Sequence, residues 1–171
     1  MPLAGVDDVV APGTHRGEYR LDRLDRRAHQ RQVIAHVIDI STLTAEVGLH
    51  VDDDEDIRTI VQMALEVVGN FEITQSASGS EALEVAIGLN PQLLLLDVMM
   101  PGMSGPELWA QLTDQANMAE TPVIFMTAKV EDEFSQQLVR EGALAVISKP
   151  FDPMTLADQI AEIWKQWQTK D

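Results

Sequence analysis

From residue 46 onward the apolar positions fall into short blocks of two kinds, and the kinds alternate. "VGLHV" at 47–51 has the length of a strand. Ile57, Ile60, Val61, Ala64, Leu65 and Val68 then recur at helical spacing, which predicts an amphipathic helix with this face inward. "FEITQSA" at 71–77 alternates like an edge strand. Ser80 can cap a helix that carries Leu83, Ala86 and Ile87. "PQLLLLD" at 91–97 is a continuous apolar strand, and Pro106 suits the first turn of the helix after it. "TPVIFMT" at 121–127 is another apolar strand, and Val130, Phe134 and Leu138 mark a further helix. "ALAVIS" at 143–148 reads as a fifth strand. Leu156, Ile160, Ile163, Trp164 and Trp167 form the stripe of a last helix, so both tryptophans are expected in the core.

Five strands thus alternate with five helices. A repeated strand–helix–strand unit makes the sheet parallel, with helices over both faces: an α/β, doubly wound fold. Three of the strands are continuous apolar runs, as a sheet covered on both sides requires.

The first 45 residues do not share this pattern. They hold six arginines and six acidic residues, whereas residues 46–171 hold six basic and 22 acidic ones, so the whole formal charge of −16 belongs to the second part. The shift marks a boundary: residues 1–45 are read as an N-terminal extension, with an apolar patch around 28–39, and 46–171 as the domain. The charge argues against direct contact with nucleic acid or anionic lipid. No apolar run approaches the roughly 18 residues that would span a membrane, and "MPLAGVDDVVAPG" lacks the basic and apolar regions of a signal peptide. The chain has no cysteine, hence no disulfide, thiolate metal site or Cys nucleophile, which fits the cytoplasm.

The chemistry gathers at strand ends. Asp52, Asp53 and Asp54 follow the first strand, Asp97 ends the third, Thr127 the fourth, and Lys149–Pro150 the fifth. An open α/β sheet binds ligands at the carboxyl ends of its strands. Four leucines leading into Asp97 pose a question, because a buried carboxylate needs a partner or a task. Three carboxylates in one crevice repel each other and suit a hard divalent cation, Mg²⁺ before others. A carboxylate beside such a metal can act as a nucleophile and form an acyl phosphate. Lys149 would offer a compact positive charge to phosphoryl oxygens and Thr127 a hydroxyl donor. Asp97 is therefore the candidate for phosphorylation.

"VDDDEDIR" (51–58), "LLLLDVMMPGMSG" (93–105), "VIFMTAK" (123–129) and "AVISKPF" (145–151), in this order and spacing, resemble the receiver domains of two-component response regulators. The resemblance covers about 46–170. It implies the flavodoxin-like strand order 2-1-3-4-5, which makes strands one and three neighbours. It also implies that Asp53 ligates Mg²⁺ directly and Asp52 through water, with Asp97 as phosphoacceptor and the Met99 carbonyl as a backbone ligand. Thr127 and Ala128 would bind the phosphoryl group, with Thr127 as the switch hydroxyl. Lys149 would pair with the phosphoryl group, and Lys149–Pro150 matches a cis peptide. One position departs. The family often has Tyr or Phe three residues before the lysine, and this chain has Val146, which cannot perform an aromatic rotation.

The implied function is that of a stand-alone response regulator, a phosphoacceptor rather than an enzyme. Its partners would be a sensor histidine kinase or a histidine phosphotransfer protein, then a downstream protein target. Signalling would run by docking or phosphorelay, with a phosphorylation-dependent dimer through the face built from the fourth helix, fifth strand and fifth helix. Met99 and Lys129 stand two residues past the acceptor and the threonine, and neither orients an attacking water, so self-dephosphorylation is expected to be slow. Two other classes answer to the same residues. A receiver-shaped interaction module would need no phosphate, but would not need the acid pair, Thr127 and Lys149. A Mg²⁺-dependent phosphohydrolase would want an acid/base where Met99 stands. His50, inside the first strand, is read as a packed strand residue.

Overall fold

The computed structural model describes residues 48–115, 117–128 and 133–169. The extension 1–45, with its apolar patch around 28–39, lies outside the described residues, as do Lys129 and Val130. Five strands form one parallel sheet: β1 (Gly48–Val51), β2 (Ile73–Ser76), β3 (Leu93–Asp97), β4 (Val123–Thr127) and β5 (Ala145–Ser148). The helices between them are α1 (Glu55–Gln62, continued as a π-helix over Met63–Val68), α2 (Gly79–Leu89), α3 (Gly105–Thr113), α4 (Glu133–Arg140) and α5 (Leu156–Gln168). The strand order is β2-β1-β3-β4-β5. This is the doubly wound order that puts β1 and β3 side by side in the middle of the sheet.

The leucine run of β3 shows why both faces must be covered. Side chains alternate along a strand. Leu94 and Leu96 join Leu49, Val51 and Phe125 in one core, roofed by Leu108 and Leu112 of α3 and Ala82 and Ala86 of α2. Leu93 and Leu95 join Ile124, Met126 and Ile147 in the other, roofed by Val61, Ala64 and Leu65 of α1 and its extension and by Leu156, Ile160 and Trp164 of α5. All four leucines are buried, and each stabilises the fold by roughly 1.5–3 kcal/mol.

Several local expectations need correction. Ser78, not Ser80, is the N-cap of α2: its backbone is extended and its hydroxyl accepts from Glu81 N at 3.3 Å. The Glu81 carboxylate returns the favour by accepting from Ala77 N at 2.7 Å, so the cap is fixed two residues earlier. Val68 was expected inward on the α1 stripe, yet it is 49% exposed. The π-helical segment explains this, since its wider turn takes more residues and slips the phase of the stripe. Of the two tryptophans, Trp164 is core, whereas Trp167 is 38% exposed. The start of α3 follows expectation in placing Pro106 in the first turn, and Ser104 and Glu107 add a reciprocal capping box. Among the described residues no helix is long and apolar enough to cross a membrane.

Candidate functional site

β1 ends at Val51 and β3 at Asp97, and the two strands are paired with Val51 opposite Leu96. The residues that continue them, Asp52 on one side and Asp97 on the other, therefore emerge next to each other at the carboxyl edge of the sheet. One carboxylate oxygen each from Asp52, Asp53 and Asp97 lies within 4.8 Å of the others. β4 delivers Thr127 to the same edge, and the chain after β5 delivers Lys149, whose amide donates to the Thr127 carbonyl at 2.8 Å. These residues line a cavity of about 470 Å³, with Met99, Ala128 and Phe134 at its rim.

The members differ in exposure. Asp52 is fully buried, Asp97 is 5% exposed and Thr127 is buried, while Asp53 faces solvent. A buried carboxylate must be paired. Lys149 Nζ donates to Asp97 Oδ1 at 2.8 Å and also to Asp52 Oδ2. Asp52 Oδ1 accepts from the Asp54 amide at 3.0 Å. Asp54 also lines the crevice, but its carboxylate is engaged elsewhere. It caps α1 by accepting from the Asp56 and Ile57 amides, a helix-capping role that its two neighbours do not share.

Charge and burial compete here. Burial raises the Asp97 pKa above the ordinary carboxylate value, only partly opposed by the Lys149 hydrogen bond. Burial pulls Lys149 down, but its bonds to Asp52 and Asp97 outweigh that and its pKa is raised, so it is a firmly held cation. An ammonium between two acids, with a third acid beside them, still leaves an excess of negative charge. The donor set, carboxylate oxygens open to solvent on one side, fits a hard divalent cation such as Mg²⁺. Asp52, Asp53 and Asp97 would hold it, and the Met99 carbonyl is the backbone candidate.

The backbone at Asp97 depends on a glycine. A Cβ at Gly105 would collide with the main-chain carbonyl of Asp97. The Gly105 amide also donates to the Val98 carbonyl at 3.1 Å, closing the loop after the acid onto α3. The Lys149–Pro150 peptide bond is cis. Val146 is half-buried and packs against the core under α2 and α3.

Two contributors were not legible in advance. Phe134 was placed only on a helix stripe, but it lines the crevice. Arg58 was unremarked, yet its Nη1 donates to the Asp52 carbonyl at 2.8 Å. A second depression, of about 500 Å³, lies at the opposite edge beside Trp164 and Trp167, where Glu120 is the charged residue of its described lining. It lacks the convergence of ionisable groups that marks the acid crevice.

Comparison with known proteins agrees with this geometry. A family model described as the response regulator receiver domain matches residues 49–161. The chain is 35% identical over 118 residues to the phosphate regulon transcriptional regulatory protein PhoB of Pseudomonas aeruginosa, covering 69% of this chain and 51% of that one. It is 34% identical over 121 residues to the transcriptional regulatory protein SrrA of Staphylococcus aureus, covering 71% and 48%. The match thus spans about half the length of these curated relatives. Among solved structures, the chemotaxis protein CheY4 of Vibrio cholerae is similar, with a TM-score of 0.63 and 32% identity over 68% of this chain and 97% of that one.

Proposed function

The chain belongs to the response regulator receiver domain family, and on that premise we propose that Asp97 is its phosphoacceptor, with Mg²⁺ held by Asp52, Asp53 and Asp97. The observation that carries the proposal is the convergence of three carboxylates on one ammonium: their oxygens lie within 4.8 Å, and Lys149 bonds the two buried ones. The family implies a histidine kinase as partner. Ionised Asp97 attacks the phosphorus of a phosphohistidine. The new bond joins its carboxylate oxygen to phosphorus, and the phosphorus–nitrogen bond breaks with its electron pair returning to the imidazole. The imidazole leaves as a neutral base once it is protonated. Lys149 is placed to neutralise phosphoryl oxygens that would displace its present bond to Asp97. Mg²⁺ bound to the acids would offset the remaining charge on those oxygens.

Asp52 is buried behind Asp97 and cannot reach an incoming donor as easily, so we assign the chemistry to Asp97 and the electrostatics to its neighbours. Thr127 and Ala128 would meet the phosphoryl group from the β4 side. With a valine at 146, the response would centre on Thr127 and on the α4–β5–α5 face, by docking of a downstream protein, by phosphorelay or by dimerisation through that face. The acidic surface supports a protein partner over nucleic acid. Residues 1–45 are assigned to an extension outside the receiver, supported by a sheet that is complete from Gly48. The test is incubation with a small phosphodonor and Mg²⁺, followed by intact mass. Wild type should gain one phosphoryl group and Asp97→Asn none; a labelled Asp97→Asn would refute the assignment.

A further inference from the structure

Asp52 is held from beneath by a chain of hydrogen bonds that no part of the phosphoryl chemistry uses. Gln75 lies on β2, the edge strand, opposite His50 of β1. Its amide nitrogen donates to the Arg58 carbonyl at 2.7 Å and to His50 Nδ1 at 2.9 Å. The Arg58 carbonyl can only accept, which fixes the orientation of the amide, and the same nitrogen then makes His50 Nδ1 an acceptor. Arg58 in turn donates from Nη1 to the Asp52 carbonyl at 2.8 Å. Three elements, β2, β1 and α1, are thereby tied together directly under the acid pair. His50 and Asp52 project from the same side of their strand, two residues apart.

The imidazole is a costly way to fill this position. His50 is fully buried, and its Nε2 has no hydrogen-bond partner among the described residues. With Nδ1 accepting, the proton sits on Nε2, so a buried donor goes unpaired, which disfavours the folded state. An apolar residue would avoid that cost. What the imidazole supplies in return is an acceptor for Gln75.

We propose that Gln75, His50 and Arg58 are positioning residues that brace Asp52 for metal binding; this rests on the reading that Asp52, Asp53 and Asp97 hold Mg²⁺. Gln75 fixes the first turns of α1 through the Arg58 carbonyl, and Arg58 fixes the carbonyl of Asp52 just beyond the last ladder bond of β1. Groups behind the ligands of a metal site set how well those ligands are aimed.

The test uses the full chain and two readouts: the Mg²⁺ dissociation constant by calorimetry, and the melting temperature in EDTA. Gln75→Met and His50→Leu should weaken Mg²⁺ binding by about tenfold, the lower end of what losing an outer hydrogen bond costs a metal site. His50→Gln offers Gln75 an oxygen acceptor and should return the affinity to within about twofold of wild type. Ile73→Val, a neighbouring core change that leaves the chain of bonds intact, should move only the melting temperature. If Gln75→Met binds Mg²⁺ as wild type does, the brace does no positioning and the proposal is overturned, whatever happens to its stability. Equal weakening in His50→Gln and His50→Leu would remove His50 from it. Should His50→Leu fail to fold, Gln75→Met and Gln75→Ala decide, since Gln75 sits half-buried on an edge strand. Wild type that does not bind Mg²⁺ would overturn the Mg²⁺ reading itself, a result distinct from equal binding by wild type and variants.

Discussion

Lys149 and Asp97 are joined at 2.8 Å across the mouth of the sheet, from positions 52 residues apart in the chain. The same ammonium bonds Asp52. On the proposed reading it stands where the oxygens of an incoming phosphoryl group would come to rest, half-buried and already held by two acids. Removing it should hurt the chemistry more than the metal. Lys149→Met is expected to slow labelling by a small phosphodonor by about 10²-fold, the usual loss when one electrostatic stabiliser is deleted. Its Mg²⁺ affinity should hold or improve, because a competing cation is gone. Single-turnover labelling read by intact mass decides, and a wild-type rate would end the assigned role.

Asp53 is exposed, and no hydrogen bond of its carboxylate is described. Its removal should therefore change metal-free stability by less than about 0.5 kcal/mol. With Mg²⁺ the outcome should separate. At about 100 times its dissociation constant, Mg²⁺ stabilises by about 2.7 kcal/mol, which should raise the wild-type melting temperature by roughly 5–10 °C. Asp53→Ala should show less than half that rise. The same rise in both proteins would mean that Asp53 is no ligand.

Sequence and structure meet unevenly, and the physical reasons are visible in particular residues. The sheet was legible because Leu93–Leu96 is a short apolar run between Pro91 and a Pro/Gly-rich turn, the length and flanks of a strand buried on both faces. The crevice was legible because Asp97 and Thr127 end their strands and Asp52 and Lys149 directly follow theirs, and parallel strands end on one edge. Val68 was misplaced because a π-helical segment is not signalled by apolar spacing. Ser78 was passed over for Ser80 because two serines offered the same hydroxyl two positions apart, and only the partner Glu81 chooses between them. Gln75 and Arg58 were illegible because their role depends on a side chain and a helix carbonyl meeting 17 residues apart. The alternation of "FEITQSA" does put Gln75 on the face opposite Ser76, but nothing in the pattern says that His50 waits there.

His50 should leave a mark on the acid stability of the metal-free protein. Its pKa falls from 6.5 to about 3 on folding, through burial first and then through Lys149 and Arg58. Between those values the unfolded chain binds a proton that the folded one does not. Stability from this group is therefore full above pH 6.5, is lost as the pH falls, and stops changing below about 3. From pH 7.5 to 5.5 the loss should be about 1.4 kcal/mol. Urea unfolding in EDTA at the two pH values should show that difference in wild type and lack it in His50→Gln. An equal pH dependence in the two proteins would place the titration elsewhere.

The lifetime of the acyl phosphate is the last expectation, and it turns on what can aim a water at phosphorus. Hydrolysis needs that water roughly in line with the bond to Asp97. Met99 lines the crevice and is 77% exposed, and its thioether offers no strong hydrogen-bonding group to a water there. Lys129, two residues past Thr127, lies outside the described residues, but a protonated lysine cannot serve as a base. Neither side chain organises an attacking water, so the phosphorylated form should be long-lived. Met99→Asn combined with Lys129→Glu adds an amide and a carboxylate at these two positions and should speed the loss of phosphate by about 10-fold or more, the low end of what positioned acid–base groups contribute. Timing that loss by intact mass, after the donor is removed, gives the answer. If the double variant keeps its phosphate as long as wild type, these side chains do not set the lifetime, and a stored signal or a phosphate passed back to histidine loses its physical basis.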